Sequence, residues 1–303
     1  MGATSHRIAA EVQGALMKGG PCVALESTLV AQGLPHPENL ETARAVEAAV
    51  RAAGATPATI AVVAGRVVVG LDDVELQRLA RPGDIRKAGR RDLAAAVAHG
   101  LDAATTVAAT LWVARSSGLG VLATGGLGGV HRDAATTGDV SNDLDELARA
   151  DGALVVCSGV KSILDVPATL EALEARGVLI VGYRTGELAG FTTASSGLGL
   201  EHRVDSPAEA AELVRAHRSL GLPGAIVLAQ PVDPALALDR AEHDLALAAA
   251  LAEARARGVS GKPLTPFLLD RLRAATAGRS LAANRALIVA NARLAAEVAV
   301  FLS

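Results

Sequence analysis

Aromatic side chains are almost missing from this chain. Trp112, Tyr183, Phe191, Phe267 and Phe301 make up 2% of 303 residues, which leaves little from which to build a stacking platform for single-stranded nucleic acid. Cysteine is equally scarce. Cys22 and Cys157 each sit inside an apolar, strand-like stretch, so they read as buried free thiols of a reducing cytoplasm and not as a disulfide framework. An excess of one charge is lacking too: 29 basic against 32 acidic residues give a net −3, no footprint for a nucleic-acid backbone or an anionic membrane. No segment approaches ~18 uncharged apolar residues, and no apolar run follows the start at Met1 to Arg7, so neither membrane spanning nor secretion is expected. What is present is half apolar and only 20% charged. That composition excludes the disordered class and leaves a core of Ala, Val and Leu. The length lies near the limit of a single hydrophobic core, so one domain over 1–303 is expected.

Short β-branched runs bounded by Gly recur along the chain: Thr59–Gly65, Arg66–Gly70, Leu119–Gly125, Ala153–Cys157, Val178–Gly182 and Ala225–Ala229. Most lack strict alternation, as strands covered on both faces do. Between them the spacing predicts helices over Glu38–Ala53, Asp92–His99, Thr106–Ser117, Asp143–Ala150, Val166–Arg176 and Pro207–Leu220. Such alternation argues for an α/β layered fold with a largely parallel sheet. After Pro234 the chain turns Ala-, Leu- and Arg-rich with helical spacing almost to Ser303, broken only around Gly258–Pro263. Additional C-terminal helices are therefore expected.

The densest chemical signal is Thr124-Gly125-Gly126-Leu127-Gly128-Gly129-Val130-His131-Arg132, directly after a predicted buried strand. Loops at the carboxyl ends of parallel strands form the binding crevice of such folds, and glycines let backbone amides approach a ligand. The loop is not a dinucleotide fingerprint, because His131 stands at the sixth position, nor a Walker loop, because no Gly-Lys-Ser/Thr follows. Taken alone, such a loop is explained by tight packing as readily as by a ligand; His131 at its end favours a ligand. Asp139-Val140-Ser141-Asn142-Asp143 precedes a helix; its carboxylates either cap local amides or supply oxygen to a hard divalent cation. Lys161, just past the strand ending at Cys157, either snorkels to solvent or, in a dry pocket beside another cation, loses its proton and serves as a nucleophile. Lys87 invites the same question within the basic run Arg81–Arg91, by default a solvated loop and otherwise an anion site. Glu26, at the end of an early strand in Ala24-Leu25-Glu26-Ser27-Thr28, is a structural ion-pair partner or an acid/base group.

Taken in order, Ala24–Thr28 with Gly33-Leu34-Pro35, Ala104–Thr110, the Thr124–Arg132 loop, Asp139–Asp143, Lys161-Ser162-Ile163-Leu164-Asp165 and Asn291–Glu297 closely resemble the pseudouridine-5′-phosphate glycosidase family, which includes indigoidine synthase A-like proteins. The likeness runs from about Cys22 to near the C-terminus. It implies a three-layer α/β/α fold, a homotrimer, a manganese-type divalent ion, and reversible cleavage of pseudouridine 5′-phosphate to uracil and ribose 5-phosphate. Carried onto matching positions, Lys161 resembles the covalent nucleophile, Glu26 the proton donor and Asp139 the metal ligand. Lys87, Val107, Ser141, Asn142 and Asp143 resemble substrate contacts, with Asp143 also an acid/base candidate; His131 and Asn284 match contacts to phosphate and uracil. Asn142 stands where a small residue such as Ala is expected.

The chemistry explains the residue types. An ordinary glycosidase protonates an oxygen or nitrogen leaving atom with one of two carboxylates. In pseudouridine the leaving atom is carbon, so that route fails; the resemblance implies instead that Lys161 forms an imine with the sugar, which serves as the electron sink. A Schiff-base aldolase or lyase on another sugar phosphate would share Lys161 and the phosphate site. A sugar-phosphate binding protein, with Glu26 and Lys161 merely paired, is the non-catalytic alternative.

Overall fold

The structure, a computed structural model, describes residues 6–261 and 263–303. Among them eleven strands form one sheet: β1 (Arg7–Ile8), β2 (Cys22–Leu25), β3 (Thr56–Val63), β4 (Arg66–Val69), β5 (Arg86–Ala88), β6 (Ala103–Thr105), β7 (Val121–Ala123), β8 (Leu154–Cys157), β9 (Leu179–Tyr183), β10 (Arg203–Val204) and β11 (Ile226–Ala229). The order β3-β2-β7-β8-β11-β9-β10 is parallel throughout. At its other end β3 continues past β2 and pairs antiparallel with β4 and β6, while β1 joins β4 and β5 joins β6 in parallel.

The continuous apolar runs follow from burial on both faces. Successive side chains of a strand point to opposite sides, and register carries each row across the sheet. Ala58, Ala24, Leu122, Val155, Val227 and Ile180 form one row and enter one core. Leu25, Ala123, Val156, Leu228 and Val181 enter the other. The first core is covered by helices Val107–Ser116, Asn142–Ala148, Val166–Glu174, Arg240–Ala256 and Leu264–Ala275. The second is covered by helices Glu38–Ala52, Pro207–Ser219 and Arg279–Leu302. The molecule is thus a three-layer α/β/α structure with a mostly parallel sheet, and the chain beyond Pro234 supplies helices to both outer layers.

The antiparallel wing positions the site. Because β6 runs against β3, its carboxyl end at Thr105 returns to the level of Ile60 and meets the end of β2, where the Ser27 amide donates to the Thr105 carbonyl at 3.3 Å. A buried hydroxyl cluster locks this junction. Ser27 Oγ and Thr105 Oγ1 both donate to the Ile60 carbonyl at 2.7 and 2.6 Å, and Thr110 Oγ1 donates to Thr105 Oγ1 at 2.8 Å. The carboxyl ends of β2, β5, β6, β7 and β8 consequently converge on one rim.

Candidate active site

A cavity of about 440 Å³ opens at that rim, within the range usual for small-molecule sites. Every residue singled out from the sequence lines it: Glu26 after β2, Lys87 in β5, Val107 at the start of its helix, His131 beyond the glycine loop, Asp139, Ser141, Asn142 and Asp143 around the next helix start, Lys161 after β8, and Asn284 in the C-terminal helix. These positions come from seven separate stretches of sequence, and the topology brings them together.

Glu26 is 9% exposed, and both its oxygens are held: Thr28 Oγ1 donates to one and Thr124 Oγ1 to the other. The carboxylate is thereby aimed by hydroxyls and has no cationic partner among the described residues. The turn after it is a π-helical segment, Leu29–Gly33, a geometry uncommon outside functional sites.

The Lys161 loop is laid against the glycine loop like a short extra ladder. The Leu127 amide donates to the Gly159 carbonyl at 2.9 Å and the Lys161 amide donates back to the Leu127 carbonyl at 3.0 Å. Gly159 has φ +82°, and a Cβ there would stand 2.2 Å from the Ala189 carbonyl oxygen, so this approach requires glycine. Among the described residues the Lys161 amine has neither hydrogen bond nor ion pair. The ionic pairing of Glu26 with Lys161, offered by the non-catalytic reading, is not formed. Beside Lys161, the Ser162 hydroxyl lies 2.8 Å from Nε2 of the buried His243.

Tight packing accounts for the glycines of the 124–132 loop. A Cβ on Gly126 would meet the Phe191 ring at 2.7 Å, one on Gly128 would meet Ser141 Oγ at 2.3 Å and Asp143 Oδ2 at 2.7 Å, and one on Gly129 would meet Thr169 at 2.3 Å. The loop builds the wall of the site by packing closely on what lies behind it.

Asp143 is 5% exposed. Its Oδ1 accepts from the Ala108 amide at 3.0 Å and its Oδ2 from the Gly128 amide at 2.8 Å, which ties the first turn of the Val107–Ser116 helix to the glycine loop. It does not cap its own helix; Ser141 does, its Oγ accepting from the Asp143 amide at 3.2 Å. At the other end of the cavity His131 Nε2 lies 3.9 Å from Asp139 Oδ2. Burial pulls the His131 pKa below its ordinary value, Asp139 opposes that shift, and the nearby Lys87 ammonium adds to it. Lys87 was expected by default in a solvated loop; instead β5 pairs with β6 and turns it to the cavity. The Cys157 thiol, fully buried, is pushed up to about 12 by desolvation, which fits an inert core residue.

Several participants stand in strings that carry the resemblance but are assigned no role of their own by it. Thr28 and Thr124 hold Glu26. Asn291, 0% exposed, donates from Nδ2 to the Thr124 carbonyl at 2.9 Å and to Ser158 Oγ at 3.1 Å, pinning the C-terminal helix to the ends of β7 and β8. It opens the string Asn291–Glu297 that carries the resemblance, but helical spacing alone gives it no task.

Fold and cavity together define an α/β protein that presents a buried carboxylate and an amine, unpaired among the described residues, to one ligand-sized space. The family described as indigoidine synthase A like protein matches residues 11–301, and the chain belongs to that family. It is 54% identical over 294 residues to a protein of Streptomyces griseus named pseudouridine-5′-phosphate glycosidase, covering 97% of this chain and 91% of the relative. It is 48% identical to a protein of the same name from Caldanaerobacter subterraneus, covering 97% and 95%. Among solved structures, the prealnumycin C-glycosynthase AlnA in complex with ribulose 5-phosphate superposes with a TM-score of 0.90 at 38% identity, covering 99% of this chain and 97% of that one. An indigoidine synthase A-like protein of Thermotoga maritima superposes with a TM-score of 0.89 at 36% identity, covering 99% and 98%.

Proposed function

We propose that this chain is a pseudouridine-5′-phosphate glycosidase, which reversibly cleaves the bond between C1′ of the ribose and C5 of uracil to give uracil and ribose 5-phosphate. The observation that carries the reading is that Glu26 and Lys161, neither of which forms a salt bridge among the described residues, line the same cavity. The names of close relatives support the substrate, and the neighbouring C-glycosynthase supports chemistry at a carbon-linked sugar phosphate.

In the proposed sequence the C1′–O4′ bond opens, the uncharged amine of Lys161 bonds to C1′, and the proton that the nitrogen loses passes to O4′. Glu26 then delivers a proton to C5 of uracil. The C1′–C5 bond breaks as the nitrogen lone pair forms the imine between Lys161 and C1′, and water hydrolyses that imine to free ribose 5-phosphate. Lys87 and His131 receive the phosphate, Val107, Ser141 and Asn142 surround the sugar, and Asn284 meets the base. Asp143, through its two backbone amides, keeps the cavity wall and the helix start in place, and its acid/base share is tested separately below.

Among the described residues no group of three or more His, Cys, Asp or Glu side chains is arranged as a metal cage. Asp139 nevertheless lines the cavity, with its carboxylate a third exposed. One carboxylate with several waters suits a hard divalent ion such as manganese. Asp139 would hold such an ion, which would supply positive charge to the substrate phosphate. We extend the reading to a homotrimer in the cytoplasm; no helix of the described residues is long and apolar enough to cross a membrane. Light scattering is expected to give three chain masses.

The decisive assay follows uracil and ribose 5-phosphate released from pseudouridine 5′-phosphate with manganese added. Borohydride with ribose 5-phosphate is expected to reduce the imine and add the sugar mass to the peptide bearing Lys161. In Lys161→Ala turnover should fall by about 10⁴-fold or more, as for loss of a covalent nucleophile. Turnover without labelling at Lys161, or full activity in the variant, would reject the mechanism.

A further inference from the structure

A second cavity of about 320 Å³ adjoins the first. The two share Gln32, Gly33, Phe191, Pro266, Leu269 and Asn284 as lining residues, whereas Lys87, His131 and Asp139 line only the first. With phosphate held by Lys87 and His131, the metal ion by Asp139 and the base by Asn284, as proposed above, the second cavity lies beyond the base, at the end away from the phosphate.

Three features mark it as built for a ligand. Thr192 lines it, is 4% exposed, and its hydroxyl has no hydrogen-bond partner among the described residues. Gln32 donates from Nε2 to the Ile85 carbonyl at 2.8 Å, which leaves its buried Oε1 unpartnered at the boundary of the two spaces. Buried polar atoms without partners cost free energy unless something binds them. Finally Phe191, one of three phenylalanines in the chain, sits at the boundary with φ +65°. A bulky side chain in the left-handed region is strained, and such strain persists where the surroundings enforce it. Here the Phe191 amide donates to the Ser158 carbonyl at 2.9 Å, and Gly126 leaves room for the ring. Phe191 is 2% exposed, so it offers the boundary a rigid apolar edge, against which a planar ring can rest.

We propose that the second cavity is an aglycone-side subsite, and that the enzyme accepts C-linked ribosyl 5-phosphates whose pyrimidine is extended on the edge opposite the glycosidic carbon by a polar, amide-like group. In this arrangement Thr192 donates to the carbonyl of that group and Gln32 Oε1 accepts from its N–H, with Phe191 against the ring. This inference rests on the glycosidase reading.

The test compares pseudouridine 5′-phosphate with its N1- and N3-carbamoylmethyl derivatives, since N1 and N3 flank the edge in question. At least one derivative is expected to be cleaved with kcat/KM within about tenfold of the parent, a gap that one changed contact spans. Thr192→Val keeps the volume and removes the hydroxyl; it should lower kcat/KM for that derivative about three- to tenfold, the worth of one hydrogen bond, and leave the parent unchanged. Leu281→Phe, which narrows the second cavity from its wall, should discriminate in the same sense. Rejection of both derivatives by an enzyme that cleaves the parent would overturn the subsite and leave the glycosidase reading standing. So would an equal effect of Thr192→Val on parent and derivative. Failure to cleave the parent itself would overturn both.

Discussion

At the scale of single residues, the site separates groups that are free to react from groups that are fully occupied. Lys161 has no partner among the described residues, and Glu26 is aimed by two hydroxyls. Asp143 has both oxygens committed to backbone amides. That difference gives a prediction. Asp143→Asn keeps the shape but can offer only one acceptor oxygen to two amides, so its NH₂ faces a donor; chemical denaturation should show a loss of about 2 kcal/mol, the scale of a charged hydrogen bond. If Asp143 serves only by holding the wall, the variant should retain the pH profile of turnover at reduced rate, whereas an acid/base role would remove one limb of that profile.

At the scale of elements, the glycine loop shows what local sequence can and cannot reveal. Gly128→Ala would drive a methyl group against Ser141 and Asp143 and should cost about 1–3 kcal/mol, as overpacking does, along with most of the activity. Gly186→Ala, where a Cβ meets nothing within 4 Å, should leave both the melting temperature and turnover unchanged. The strands with β-branched runs between glycines were legible, because burial on two faces demands that composition. β6 was not: Ala103-Ala104-Thr105 is too short and too small to show a pattern, and it is a strand because β3 and β5 flank it. β5 was hidden in a basic run for the same reason. Helix Asp73–Ala80 also escaped notice, although Asp72 and Glu75 form a reciprocal capping box at its start. At the site, residues with unusual chemistry in unusual strings were legible. Thr28, Thr124 and Asn291 lie in those strings too, but their positioning roles were not legible, since a hydroxyl or amide shows its task only once its partner is placed beside it.

At the scale of the whole molecule, burial of imidazoles sets the response to acid. Burial lowers the pKa of His131, His217 and His243, so each is uncharged in the folded state where an unfolded chain, with a pKa near 6.5, takes a proton. The unfolded state then binds more protons, and the stability these residues contribute is present above about pH 6.5 and lost as pH falls below it. Urea midpoints measured across pH 5 to 8 should decline on the acid side of about 6.5, and His243→Gln should flatten part of that decline. The path of β3 has its own consequence. Its first half belongs to the parallel strands and its second half to the antiparallel wing, so one uninterrupted ribbon serves as the hem of both. Neither half can come apart while the other keeps its edge, and scanning calorimetry is expected to record one heat-absorption peak; two resolved peaks would mean that the seam gives way first.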